Sequence, residues 1–294
     1  MNIPSLAHSD AVDLLRLTML VYNYGKDFSL KNDEDIETFI GHMGDSDKEN
    51  PLSELNETRQ EAFTEIAKKS PHGKIVKFIS DEDTDLQVGI TISETNKRIC
   101  VIFRGSESKS DWYYDLQFYK HQLEDDIYVH KGFYKQLYEN NNYDNITNVV
   151  VDLLKQKQYY DYDVYITGHS LGAALSTLYG YQLSKNIHQE IVVASFASPR
   201  VGNAAFRTDF DDRKNLTHYR FSNNRDIVTA APMINYQHVG QNIQLFEDSY
   251  SFFPNYNYNS WFSFSLFSCF SVSDHDCDLY YKRLLKNKWE TYIF

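Results

Sequence analysis

The chain predicts an α/β fold, a mostly parallel central sheet flanked by helices, and three observations carry that prediction. Residues 99–103, Ile-Cys-Val-Ile-Phe, are five consecutive apolar residues bounded by polar ones, the pattern of a strand covered on both faces. Residues 164–183 pass without a break from an apolar strand into the helical run Ala173 to Leu183. Leu216 to Phe221 then alternates like a strand and ends in the polar loop that carries Asp226.

The remaining elements follow in order. Val12, Leu15, Met19 and Tyr22 lie at helical spacing within Ser9 to Tyr24, which predicts a helix packed on the sheet. Asn32 to Glu57 carries many acids and Pro51, as a surface excursion would. Lys74 to Ser80 and Leu86 to Ser93 are expected to be antiparallel strands ahead of the buried one. Ile146, Val149, Val150, Leu153 and Leu154 mark a second amphipathic helix. With 294 residues and 42% hydrophobic content, the chain can bury one large core. No Pro/Gly/Ser linker or internal repeat divides it. A single domain over 1–294 is therefore expected, with 1–73 as a helical and loop region packed on it.

Gly168-His169-Ser170-Leu171-Gly172 sits at the strand-to-helix junction. A bare G-x-S-x-G arises by chance in roughly one chain in ten of this length, so the flanking strand and helix are what give it weight. A serine on such a turn is lifted out of the sheet, and glycines on either side remove the β-carbons that would collide. Ser170 is the candidate nucleophile. The first free N–H groups of the helix, beginning with Leu171, face the space above the serine oxygen. Ser106, just past the buried strand in Phe103-Arg104-Gly105-Ser106, is the candidate second donor.

A serine needs a general base oriented by a carboxylate, in the chain order Ser, acid, His. Asp226, just beyond the end of a strand, is the favoured acid; Asp209, Asp211 and Asp212 lie in an Asp/Arg-rich helical stretch that suits a solvated face. His188, His218, His238 and His275 follow Ser170. His188 falls too early, and His218 lies inside a strand ahead of the acid. His238 sits in a stretch that alternates like a strand, whereas His275 occupies the polar loop Ser-Val-Ser-Asp-His-Asp-Cys-Asp before a helix. His275 is the better base.

Taken together, Phe103 to Ser106, Asp111-Trp112, Val129 to Phe133, Gly168 to Ala173, Ser198 to Asn203, Asn224 to Val228 and Asp274-His275 resemble the class 3 lipases, the fungal-lipase-like branch of the α/β-hydrolases. The resemblance implies an α/β-hydrolase fold with Ser170, Asp226 and His275 as triad and Ser106 and Leu171 as oxyanion hole. His238 maps to a strand position without a catalytic role, and His130 and His169 read as packed structural histidines. Thr229 stands where the family commonly has a proline.

The implied activity is hydrolysis of carboxylic esters of lipids of the tri-, di- or monoacylglycerol type. Short or aromatic acyl esters and phospholipase A1 chemistry stay open beside it, as does a binding module that has lost turnover. Tyr250 to Phe270 interleaves ten aromatics with Ser and Asn, and Trp112 lies in the 107–118 segment that corresponds to a lid in related lipases. Trp112, Trp261 and Phe262 are the candidate acyl-binding residues, and transient contact with a lipid interface is expected. A net charge of −12 argues against nucleic acid. The acidic runs at Asp81 to Asp85 and Glu124 to Asp126 suit solvated loops. Cys100, Cys269 and Cys277 form neither a metal motif nor a disulfide framework, so no metal or cofactor is expected. No segment is apolar enough to span a bilayer. Asp10, Asp13 and Arg16 interrupt the N-terminal hydrophobic run, so no signal peptide is expected and an intracellular location is, unless the N-terminus was processed.

Overall fold

Strands that are apolar on both faces need cover on both faces, and the sheet of this protein is built accordingly. The computed structural model describes residues 5–23, 34–35, 55–68, 73–106, 119–254 and 271–290. Its nine-stranded sheet comprises β1 (Glu34–Asp35), β2 (Lys74–Asp81), β3 (Leu86–Ser93), β4 (Arg98–Phe103), β7 (Asp163–His169), β8 (Ile191–Phe196), β9 (Leu216–Asn223), β10 (Gln241–Leu245) and β11 (Tyr250–Phe253), in that spatial order. The strands from β4 to β10 run parallel, and β1, β2, β3 and β11 pair antiparallel at the two edges. A separate hairpin joins β5 (Lys120–Glu124) to β6 (Ile127–His130).

Side-chain alternation sorts the central strands between two apolar clusters. From β4, Ile99, Val101 and Phe103 enter one cluster while Cys100 and Ile102 enter the other. The first cluster is covered by α3 (Lys131–Tyr138), α4 (Asn142–Leu154), α5 (Leu171–Leu183) and α6 (Ala204–Asp211). The second lies under α1 (His8–Asn23), α2 (Glu57–Lys68) and α7 (Cys277–Lys286). Every residue of α5 except Gln182 is buried, because this helix lies between the sheet and its neighbours rather than at the surface.

The structure departs from the sequence reading in three places. His238 lies in a loop rather than a strand, since β10 starts only at Gln241, after Gly240 turns the chain at φ +68°. The supposed excursion from Asn32 contributes an edge strand, Glu34 and Asp35 pairing with Ile75 and Lys74. The acidic Asp81–Asp85 turn is not simply solvated. Asp81 accepts hydrogen bonds from Thr84, Asn140 and Asn142, and Asp85 pairs with Arg104 at 3.1 Å.

His218 on β9 is buried, with Nε2 2.7 Å from Ser195 Oγ. Burial, aided by the Arg220 charge, pushes its pKa down to about 3. The unfolded chain takes up this proton near pH 6.5 and the folded one resists it, so folding stability should fall as pH drops from about 6.5 toward 3, by roughly 1.4 kcal/mol per unit. Urea unfolding of wild type and His218→Gln at pH 7 and pH 4.5 checks this. The variant should show the smaller loss between the two pH values.

Candidate active site

Ser170 occupies the single-residue joint between β7 and α5, at φ 59° and ψ −122°. A non-glycine residue held there costs on the order of 1–3 kcal/mol and persists only when its surroundings fix it. They do so here: the Ser170 N–H donates to Phe196 O at 3.0 Å, and its carbonyl accepts from Ala173 and Ala174 at 3.1 and 3.2 Å. Both motif glycines are required by close approach. A β-carbon on Gly168 would collide with the backbone of Gly172, and one on Gly172 with the carbonyls of Phe103 and Arg104.

The end of β9 leads into a loop that buries Asp226 completely. Its carboxylate accepts from Val228 N at 2.9 Å and from the Tyr280 hydroxyl at 2.7 Å. His275 comes from the short turn Ser273–His275 ahead of α7. Its Nδ1–H donates to Asp226, 3.0 Å from Oδ2, which leaves Nε2 as the acceptor facing Ser170 Oγ at 2.8 Å. The three residues singled out by sequence order thus meet in one hydrogen-bonded chain.

Other contacts fix the histidine turn. Ser271 N donates to Arg225 O at 2.8 Å, and Asn223 Nδ2 to Asp274 O at 2.8 Å. The buried Asp274 carboxylate pairs with Arg283 at 2.8 Å. Asp276 caps α7 by accepting from Asp278 N. Sequence reasoning gave Tyr280 no role, yet its hydroxyl bridges Asp226 and Asn223 N, the latter at 2.8 Å. Burial, and next the neighbouring Asp226 charge, keep its phenol well above the ordinary range and hence protonated as a donor. Its position one turn into the helix after His275 was the available signal.

Leu171 supplies the first N–H of α5, one of the donors that no helix can satisfy internally. Ser106 follows Gly105, and a β-carbon on Gly105 would sit 2.5 Å from His169 O, so this loop lies against the serine turn. Trp112, the 107–118 segment, Trp261 and Phe262 lie outside the described residues, as does Cys269.

The other candidates are engaged elsewhere. His238 is buried with Nε2 2.7 Å from Thr229 O, and burial together with Arg220 and Arg200 holds it well below the ordinary histidine range. His188 is exposed, and His130 Nδ1 caps α3. Asp209 is held by Tyr181 and Arg213. Asp211 closes α6, with Asp212 as its cap. Thr229 binds back to Asp226 O through its hydroxyl at 2.8 Å, which steadies the loop in the place of a proline.

Residues 100–236 match the family model described as Lipase (class 3). Over that stretch the chain is similar to the class 3 lipases. A lipase from Rhizomucor miehei is 31% identical over 186 residues, covering 60% of this chain and 49% of that protein. The secreted mono- and diacylglycerol lipase A of Penicillium cyclopium is 30% identical over 168 residues, with 55% and 52% covered. The chain thus spans about half the length of the curated relatives it matches. Among solved structures, the lipase from Rhizopus microsporus var. chinensis superposes with a TM-score of 0.69 at 25% identity, over 91% of this chain and 85% of that one. The fold is that of the α/β-hydrolases.

The turn at Ser170 tolerates no side chain at Gly172, because the opposing atoms are backbone and cannot move aside cheaply. Gly172→Ala should lower unfolding free energy by about 1–3 kcal/mol or more and displace Ser170. Chemical denaturation of purified protein measures the first, and the rate of labelling by a fluorophosphonate the second.

Proposed function

We propose that this protein hydrolyses carboxylic esters of lipids through an acyl-enzyme formed on Ser170. One observation carries the reading: Ser170 Oγ lies 2.8 Å from His275 Nε2, and the opposite nitrogen of that ring is bound to the fully buried Asp226. Ser170 Oγ attacks the ester carbonyl as His275 Nε2 takes its proton, and the imidazolium passes that proton to the departing alcohol. Asp226 orients the ring and stabilises its charge, with the Tyr280 hydroxyl holding the carboxylate in place. The N–H groups of Leu171 and Ser106 receive the oxyanion, and water releases the acyl group by the reverse sequence.

The lipid substrate rests on the family of residues 100–236 and on relatives whose names are those of lipases. The acyl chain falls to Trp112, Trp261 and Phe262. Ser170→Ala should lower kcat by at least about 10⁴-fold with the fold intact, and a fluorophosphonate should label Ser170 alone. His275→Ala should be nearly as damaging. His238→Ala should keep most activity, since its ring faces Thr229 rather than the serine. A wild-type protein that neither reacts with the probe nor cleaves p-nitrophenyl esters would show the site to be catalytically inert.

Substrate class is read from rates on tri-, di- and monoacylglycerols, phosphatidylcholine and a soluble butyrate ester. Trp112→Ala and Trp261→Ala should weaken long-chain glyceride hydrolysis far more than butyrate hydrolysis. Equal losses on both would assign the activity to soluble esters.

A further inference from the structure

Tyr22, at the last turn of α1, lies outside the stretch that matches the lipase family, yet its hydroxyl reaches the centre of the site. It stands 2.9 Å from His169 Nδ1, and His169 Nε2 stands 2.9 Å from the backbone carbonyl of His275. A carbonyl only accepts, so Nε2 carries the proton, and in the neutral ring Nδ1 is left to accept from Tyr22. Desolvation pushes the Tyr22 phenol well above its ordinary range, which keeps the hydroxyl protonated and able to donate. The same hydroxyl closes over Gly105, where any β-carbon would collide with it. One oxygen atom thereby touches the loop that leads to Ser106 and, through a single imidazole, the residue that carries the base.

The placement of Tyr22 is set by matched repeats. Thr18 Oγ1 meets Thr167 Oγ1 at 3.0 Å, which fixes α1 against β7. Four residues on in the helix is a rise of about 6 Å and two residues on in the strand about 6.6 Å, so Tyr22 arrives opposite His169. Arg59 of α2 lies 5.7 Å over the Tyr22 ring while its guanidinium binds Asn23 and Asp278, which ties this corner to the start of α7.

We propose that Tyr22 is a positioning residue for catalysis: it locks His169 in the tautomer that holds the His275 carbonyl, and so couples the N-terminal helix to both the serine turn and the histidine turn. The proposal rests on the ester-hydrolase reading of the site. Two measurements on the full chain with Tyr22→Phe test it. Kinetics with p-nitrophenyl butyrate should show kcat lower by about 10-fold with KM changed less than about 2-fold. The imidazole ¹H–¹⁵N spectrum should show His169 as the Nε2–H tautomer in wild type and a substantial Nδ1–H population in the variant. A merely structural role would leave that tautomer unmoved. Wild-type kcat in the variant, or an unchanged His169 tautomer, overturns the proposal. Wild-type protein inert toward esters instead overturns the reading of the site, while the spectrum still decides whether Tyr22 sets the tautomer.

Discussion

The backbone of Gly172, at the first turn of α5, presses against the carbonyls of Phe103 and Arg104 at the end of β4, and the site depends on that contact. Because neither partner has a side chain in between, α5 starts directly above the parallel pair β4 and β7, whose register places Phe103 opposite Gly168. Ser170 is then forced into its positive-φ joint, and the loop carrying Ser106 is held against the same turn. Strain at Ser170 is offset by three backbone hydrogen bonds and by the apolar burial of nearly the whole of α5. The geometry of Ser170 and that of the loop leading to Ser106 are therefore one structural fact.

Carboxylates organise the other half of the site. A buried charge is tolerated only when paired and hydrogen-bonded, and the two buried carboxylates here are both so treated. Asp226 receives donors from His275, Tyr280 and Val228, while Asp274 receives Arg283. His275 lies next to Asp274 in sequence and opposite Asp226 in space. Its turn is fixed from both sides, although it lies far along the chain from β9.

Two buried histidines outside the site show what desolvation does to an imidazole. His218 faces a serine hydroxyl and His238 a backbone carbonyl, so desolvation wins and both are driven toward the neutral form. His275 meets a carboxylate instead, its Nδ1 standing 3.0 Å from Asp226 Oδ2.

Sequence alone determined the elements whose pattern is local. The run at 99–103, the strand-to-helix passage at 164–183 and the alternation at 216–221 appear as β4, β7 with α5, and β9, because apolar periodicity and turn chemistry are properties of adjacent residues. Chain order likewise singled out Ser170, Asp226 and His275. Tertiary structure decided what depends on contacts between distant segments. His238 was read into a strand because its neighbours alternate, but pairing with β9 begins only after the turn at Gly240. The bonds of Tyr280 to Asp226 and of Tyr22 to His169 join residues 54 and 147 positions apart. A hydroxyl's partner is set by where packing brings it, and no local pattern of residues encodes that distance.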